Sequence, residues 1–183
     1  MATSSHAFRE LAARSPRELE AILRRGQPPA IDALLGYEFR GYNHPRRAAL
    51  LGIRTFIKGF FGAGEAVLGF NTRTRQNGLE GAWIARPDDA APGRFAFFSV
   101  LTPGSGERDD AYTHAVLLDY GAGGNAPYDP ARLLRDHVVR VHEHSDELLL
   151  GKAHVAVASA RVPVGFFLLE RHRPFSDDPR PRP

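Results

Sequence analysis

The run Val162-Pro163-Val164-Gly165-Phe166-Phe167-Leu168-Leu169-Glu170-Arg171 constrains this chain more than any other segment. Successive side chains of a strand point to opposite faces, and here both faces are apolar. Such a strand must be covered on both sides, so it belongs to a closed barrel or a sandwich rather than to an open one-sided sheet. It also ends a series. From Leu133 to Arg171, strand-like segments follow one another across very short turns at His144-Ser145-Asp146 and Ser159-Ala160-Arg161.

The same reading extends upstream. Gly36–Asn43, Ile53–Phe61, Glu65–Arg75, Arg94–Leu101, Ala111–Tyr120, Asp136–Glu143, Glu147–Val157 and Val162–Arg171 read as strands, and Leu79–Ala85 carries the only Trp, Trp83. Helical pattern is confined to Ala7–Arg25, with one further turn over Ala30–Leu35, and to two short insertions: Pro45–Gly52, which reads as short helix or loop, and Asp129–Leu134. Pro103–Asp110 is a Gly- and charge-rich loop. Within Ala7–Arg25, Ser15-Pro16-Arg17-Glu18 has the form of a capping box, with Pro at the first helical position. Leu19, Ile22 and Leu23 then make an apolar stripe. Gly26 and Pro28-Pro29 end it. The expected fold is mainly β, an antiparallel up-and-down barrel of eight or nine strands behind an N-terminal helix. Residues 1–35 form the helical segment, 36–173 the barrel and 174–183 a Pro-rich tail. Eight strands is the number at which a barrel just holds one small ligand, and closure removes exposed sheet edges.

A leading helix, an aromatic first strand and a meander of about eight strands resemble the lipocalin and broader calycin group. In that group a Gly-x-Trp opens the first strand, and an Arg on the last strand packs across the Trp. Here the matching positions are Gly36-Tyr37-Glu38-Phe39, without the Trp, with Phe39 as the aromatic plug and Arg171 as the closing Arg. The resemblance implies a barrel that binds a small hydrophobic molecule.

Composition excludes several functions. The 183 residues include no Cys, so disulfides, thiolate nucleophiles and thiolate metal sites are absent. That fits a reducing cytoplasm. Of 24 basic residues only Lys58 and Lys152 are lysines, and the net charge of +3 is modest. Neither points to nucleic acid. Met1–Arg14 lacks the apolar core of a signal peptide, and no run reaches the roughly 18 apolar residues of a membrane span. His137, His142, His144 and His154 lie close in sequence but differ in strand parity, so no metal site is expected. Gly104-Ser105-Gly106 lacks the spacing of a nucleophile elbow. Gly62-Ala63-Gly64 and Gly121-Ala122-Gly123-Gly124 lack the context of a phosphate cradle and read as flexible loops. Asp88-Asp89 and Asp109-Asp110 read as turn formers. No cofactor is expected, and a homodimer is left open.

The candidate ligand-binding residues are Arg40, Tyr42, Asn71, His114 and Trp83. Arg40 and Tyr42 share one face of the first strand, and Asn71 and Arg73 share a face of the third. Were these faces inward, they would converge on a carboxylate or carbonyl, with Arg supplying the fork. Read as mid-strand, His114 shares a face with Tyr112, Val116 and Leu118. The phenylalanines would line the cavity or fill it. Three functions follow: binding of a small hydrophobic molecule with a polar end; a cofactor-independent isomerase, dehydratase or cyclase in the same cavity; or a solid barrel serving protein interaction. A pocket above about 300 Å³ favours the first two. A strongly perturbed His or carboxylate inside it favours the enzyme.

Overall fold

The doubly apolar last strand is covered on both faces at Phe167–Leu169, while Val162 stays half exposed, in the computed structural model, which describes residues 3–44, 52–102, 112–176 and 179. Two helices, α1 (His6–Ala12) and α2 (Pro16–Arg25), and one further turn, α3 (Ile31–Leu34), precede the strands. These are β1 (Tyr37–Asn43), β2 (Thr55–Ala63), β3 (Ala66–Arg73), β4 (Arg94–Leu101), β5 (Val116–Asp119), β6 (Leu134–His142), β7 (Ser145–Val157) and β8 (Ala160–Pro174). Each pairs antiparallel with the next, and β8 returns to β1, closing an eight-stranded barrel. The expected fold class is the observed one.

On β8, Phe167 and Leu169 point inward to join Phe39, Phe60, Phe98, Leu118 and Leu149. Leu168 points outward, beneath Phe8, Leu11, Leu19 and Leu23 of the helices. The helices are therefore the second cover that this strand demanded. The expected capping box is present: the Ser15 hydroxyl accepts from the Glu18 amide, and Glu18 Oε2 accepts from the Ser15 amide at 2.8 Å. It starts a second helix, so the single helix read over Ala7–Arg25 is two, with Ser5 capping the first.

Leu79–Ala85, which carries Trp83, contributes only an isolated bridge between Thr74 and Ala85. Two other expectations need correction. The strand read over Ala111–Tyr120 is confined to Val116–Asp119, because residues 112–115 make a turn against α2. The Gly-rich loop after Tyr120 is packed rather than loose. A Cβ on Gly123 would sit 1.9 Å from the Phe97 carbonyl oxygen, and Asn125 donates to Phe97 O (2.6 Å) and Tyr120 O (2.8 Å). The helix-or-loop reading of Pro45–Gly52 falls, apart from Gly52, outside the described residues, as does the Pro103–Asp110 loop.

One end of the barrel is plugged. Leu34 of α3 is buried with Phe39 and Phe60. The Arg171 guanidinium lies 4.2 Å from the Tyr37 ring and 5.3 Å from that of Phe39, and donates to Ala33 O at 2.9 Å. Arg171 and Phe39 thus meet at the closed end.

The interior is shaped by glycine opposite phenylalanine. Gly41 pairs with Phe56, Gly69 with Phe98 and Gly151 with Phe167, all facing inward. In each pair the ring occupies the space a Cβ would need; the ideal Cβ of Gly151 falls 2.0 Å from Phe167 Cζ. Overpacking of this kind costs about 1–3 kcal/mol. Gly151→Ala should therefore lower the midpoint of thermal unfolding by several degrees at roughly 2–4 °C per kcal/mol. Gly62→Ala, whose Cβ meets nothing within 4 Å, should leave it within about 1 °C by the same scale. Equal midpoints for the two variants would disprove the packing argument.

Candidate functional site

Strand parity places a small set of polar residues on the apolar inner face. In β2, Lys58 lies between the inward Phe56 and Phe60. In β6, Asp136 lies between Leu134 and Val138. Tyr120, just after β5, continues the face of Val116 and Leu118. Cross-strand register brings Lys58 opposite Asn71 and Asp136 opposite Leu118. The four polar side chains meet. Lys58 Nζ donates to the Tyr120 hydroxyl at 2.6 Å and to Asp136 Oδ2 at 3.4 Å. The Tyr120 hydroxyl donates to Asp136 Oδ2 at 2.9 Å. Asn71 Nδ2 donates to Ala96 O at 2.9 Å and reaches the Tyr120 hydroxyl at 3.4 Å. Ala96 has a φ of +47° at a register shift between β3 and β4, and this bulge presents its carbonyl to Asn71. Asp136 Oδ1 is buried and has no hydrogen-bond partner among the described residues.

The lysine is also ringed by aromatic faces. Its Nζ lies 4.5 Å from the Phe98 centroid, 5.2 Å from Phe167, 5.1 Å from Tyr120 and 5.8 Å from Phe56. Such faces attract a desolvated cation. Burial pushes the Lys58 pKa down, opposed by the neighbouring Asp136 charge and hydrogen bond. Burial pushes Asp136 up, opposed by Lys58 and by the Tyr120 hydroxyl. Burial, then the Asp136 charge, raises Tyr120 well above its ordinary value. Moving one proton from Nζ to Oδ2 would neutralise the pair without taking a proton from solvent.

A cavity of about 160 Å³ runs from this cluster toward the barrel end where His44 and Ile53 lie. Lys58, Asn71, Tyr120 and Asp136 form its polar floor. Phe56, Phe95, Leu134, Ala153 and Phe167 form apolar walls, and His44, Ile53 and Val164 lie at the outer end. Its volume is below the 300 Å³ expected of a drug-sized pocket. It equals the space in which an engineered apolar cavity takes up benzene, about 150 Å³.

Of the five residues singled out from the sequence, only Asn71 lines this cavity. Arg40 and Tyr42 have the opposite parity to the inward Phe39, so the inward convergence of Arg40, Tyr42 and Asn71 does not occur. Tyr42 is buried beneath the helices. Arg40 pairs with Glu170 at 3.3 Å and contacts His172 Nδ1 at 3.3 Å. Trp83 sits outside the barrel, edge-on to Phe8 and donating to Gly41 O at 2.9 Å. His114 is not mid-strand. It lies in the turn before β5 and donates from Nε2 to Leu23 O near the end of α2, at 2.9 Å. The turn pulls it out of strand alternation. Conversely, Lys58, Tyr120 and Asp136 were missed, although each is a polar residue on the apolar face of its own strand.

Among the described residues, no group of three or more His, Cys, Asp or Glu side chains is arranged to hold a metal ion, and no helix is long and apolar enough to cross a membrane. Comparison of the chain with protein-family models, curated proteins and solved structures finds no match.

Two predictions follow from the polar groups. Removing one member of a buried ion pair typically costs about 3–5 kcal/mol, whereas replacing both by apolar residues is often neutral. Asp136→Leu and Lys58→Met should each be strongly destabilising in urea titrations, and the double variant should lose much less than their sum. Additive losses would show that the two groups are not coupled. On the outer face, burial and then the charges of Arg40 and Arg173 depress His172 to about 4. Because its folded pKa lies below the ordinary 6.5, the unfolded chain binds the extra proton. Stability at His172 is full above pH 6.5 and falls as pH drops toward 4. His172→Gln should flatten that part of the stability–pH curve; an unchanged slope would assign the loss elsewhere.

Proposed function

We propose that this protein is a lipocalin-like barrel that binds a small, mainly apolar molecule of about one ring, with its polar end against Lys58, Tyr120 and Asp136. The observation that carries this reading is the hollow itself: about 160 Å³ of largely apolar space ending on a buried carboxylate oxygen that has no partner among the described residues. Native interiors pack densely, and unfilled space of this size is uncommon. Unsatisfied buried acceptors are likewise uncommon. A guest carrying a donor would fill the space and satisfy Asp136 Oδ1.

The polar end of the guest is neutral. With Arg40 outside, Lys58 is the cation among the described residues that line the cavity, and Asp136 already faces it. A ligand carboxylate would place a second negative charge beside Asp136 in a dry site, at a cost its single ammonium would not offset. A hydroxyl or carbonyl adds no charge. It can give a hydrogen bond to Asp136 or take one from Lys58.

A second reading, a cofactor-independent isomerase, dehydratase or cyclase, draws support from the same cluster. Perturbed ionisable groups that share a cavity are typical of acid–base sites. Asp136 would accept a proton there, and Tyr120 or Lys58 would donate one.

Gly165 provides the test. It lines the cavity, and a Cβ built on it meets nothing within 4 Å. Gly165→Leu should fill the hollow with little loss of stability. Calorimetric titration with benzyl alcohol should show binding to the natural chain and at least tenfold weaker binding to Gly165→Leu. Equal binding by both, or none by the natural chain, would reject the site.

A further inference from the structure

We propose that Lys58 is a nucleophilic amine that condenses reversibly with an aldehyde or ketone admitted to the barrel cavity, forming an imine. This rests on the reading that the cavity admits a small molecule, and it names the chemical class of that molecule as a carbonyl compound.

The geometry supplies each part of the reaction. Lys58 Nζ is at the polar floor of the cavity, flanked by the Tyr120 hydroxyl at 2.6 Å and Asp136 Oδ2 at 3.4 Å. Transfer of one ammonium proton to Asp136 leaves a neutral amine with a lone pair. That pair attacks the carbonyl carbon, and the C=O π electrons move to oxygen, which takes the proton held by Asp136. The Asp136 carboxylate then accepts the second proton from nitrogen, leaving a neutral carbinolamine. The nitrogen lone pair forms the C=N bond as the C–O bond breaks, and the hydroxyl leaves as water with that proton from Asp136. The nitrogen keeps its third proton, so the product is a protonated imine beside the Asp136 carboxylate. The sum is ammonium plus carbonyl giving protonated imine plus water, with no oxidant or reductant. Asp136 Oδ1, unpartnered among the described residues, can accept from the carbinolamine hydroxyl. The apolar walls keep bulk water from the product, which favours condensation over hydrolysis.

The chain contains its own control. It has two lysines, and the other is built for the opposite state. Lys152 lies on the outer face, where it donates to Glu20 Oε2 at 2.7 Å and to the Tyr112 hydroxyl at 2.6 Å. Burial works against its charge, but those two bonds outweigh burial and raise its pKa. Lys58, fully buried, is shifted downward. A desolvated lysine of this kind is the usual form of an imine-forming amine.

The experiment incubates the full chain near pH 7 with benzaldehyde and cyanoborohydride, which traps an imine as a stable secondary amine. Peptide mass spectrometry then locates the benzyl adduct. The expected result is an adduct at Lys58 at least about tenfold above that at Lys152, since each pKa unit between two amines is a tenfold difference in neutral fraction. Excess benzyl alcohol, which occupies the same space but cannot condense, should reduce the Lys58 adduct at least tenfold. The adduct should persist in Lys152→Arg, where Lys58 is the remaining lysine. Labelling equal at both lysines, or confined to Lys152 or the amino terminus, would overturn the proposal. So would a Lys58 adduct that benzyl alcohol does not suppress. If benzyl alcohol binds the cavity but Lys58 is not labelled, imine formation falls and the binding reading stands. If neither occurs, both fall.

Discussion

The pairing of glycine with phenylalanine across neighbouring strands determines what this barrel can hold. Phe56, Phe98 and Phe167 each lie over an inward glycine on the next strand. Those same three rings, with Tyr120, face the Lys58 ammonium. The two facts have one cause. A Cβ on Gly41, Gly69 or Gly151 would push its ring away from the wall and into the centre. Without that Cβ the ring settles against the sheet and turns its surface toward the axis. The barrel therefore keeps a hollow, and the wall of that hollow carries the negative faces that favour a cation. A fourth pair, Gly59 with Phe70, does the same outside, where Phe70 receives Phe175 edge-on at 5.3 Å.

Placing a lysine in such surroundings has an energetic consequence that its neighbours absorb. An isolated buried ammonium would cost several kcal/mol in desolvation. Asp136 and the Tyr120 hydroxyl reduce that cost, and the aromatic faces contribute further. The compensation is incomplete, because among the described residues one oxygen of Asp136 is left without a donor. An interior built only for stability would do better with leucines at these positions. Under the binding reading proposed above, the polar cluster acts on a guest rather than adding to the fold. Its support is deliberate in structural terms. Asn71 is held by the Ala96 carbonyl at a bulge, and Asn125 ties the backbone of Tyr120 to that of Phe97.

Much of the fold was legible because its signals are local and periodic. The doubly apolar β8 demanded two covers, and the capping box at Ser15 marked a helix able to supply one. The site was less legible, for a physical reason. Whether Arg40 and Tyr42 face in or out depends on one step of register, and polar residues on a strand suggest function only if the other face is the covered one. Here both faces are covered, so Arg40 is buried without entering the cavity. His114 lies away from the cavity for a different cause: its strand begins only at Val116, and the preceding turn hands its imidazole to the end of α2. Lys58 carried a readable signal. It is one of two lysines, and it interrupts the aromatic face set by Phe56 and Phe60. No local pattern, however, pairs it with Asp136, which lies 78 positions away and meets it only through closure of the sheet.

The outer cover also fixes how a guest would sit. The helices and Trp83 occupy the outward face of β1, and α3 with Arg171 occupies one end of the barrel. Among the described residues, the other end of the cavity is lined by His44, Ile53 and Val164, and on the binding reading that end is the approach. Polar groups inside are gathered at the opposite limit of the hollow, around Lys58. A small amphiphile entering from that end must lead with its polar group, shedding water from it before the Lys58 cluster can replace those hydrogen bonds. Charged groups lose far more in that passage than neutral ones. On the proposed reading, the fold would select against ions twice, once along the apolar walls and once beside Asp136, and would favour a compact molecule whose single polar group is a neutral carbonyl or hydroxyl.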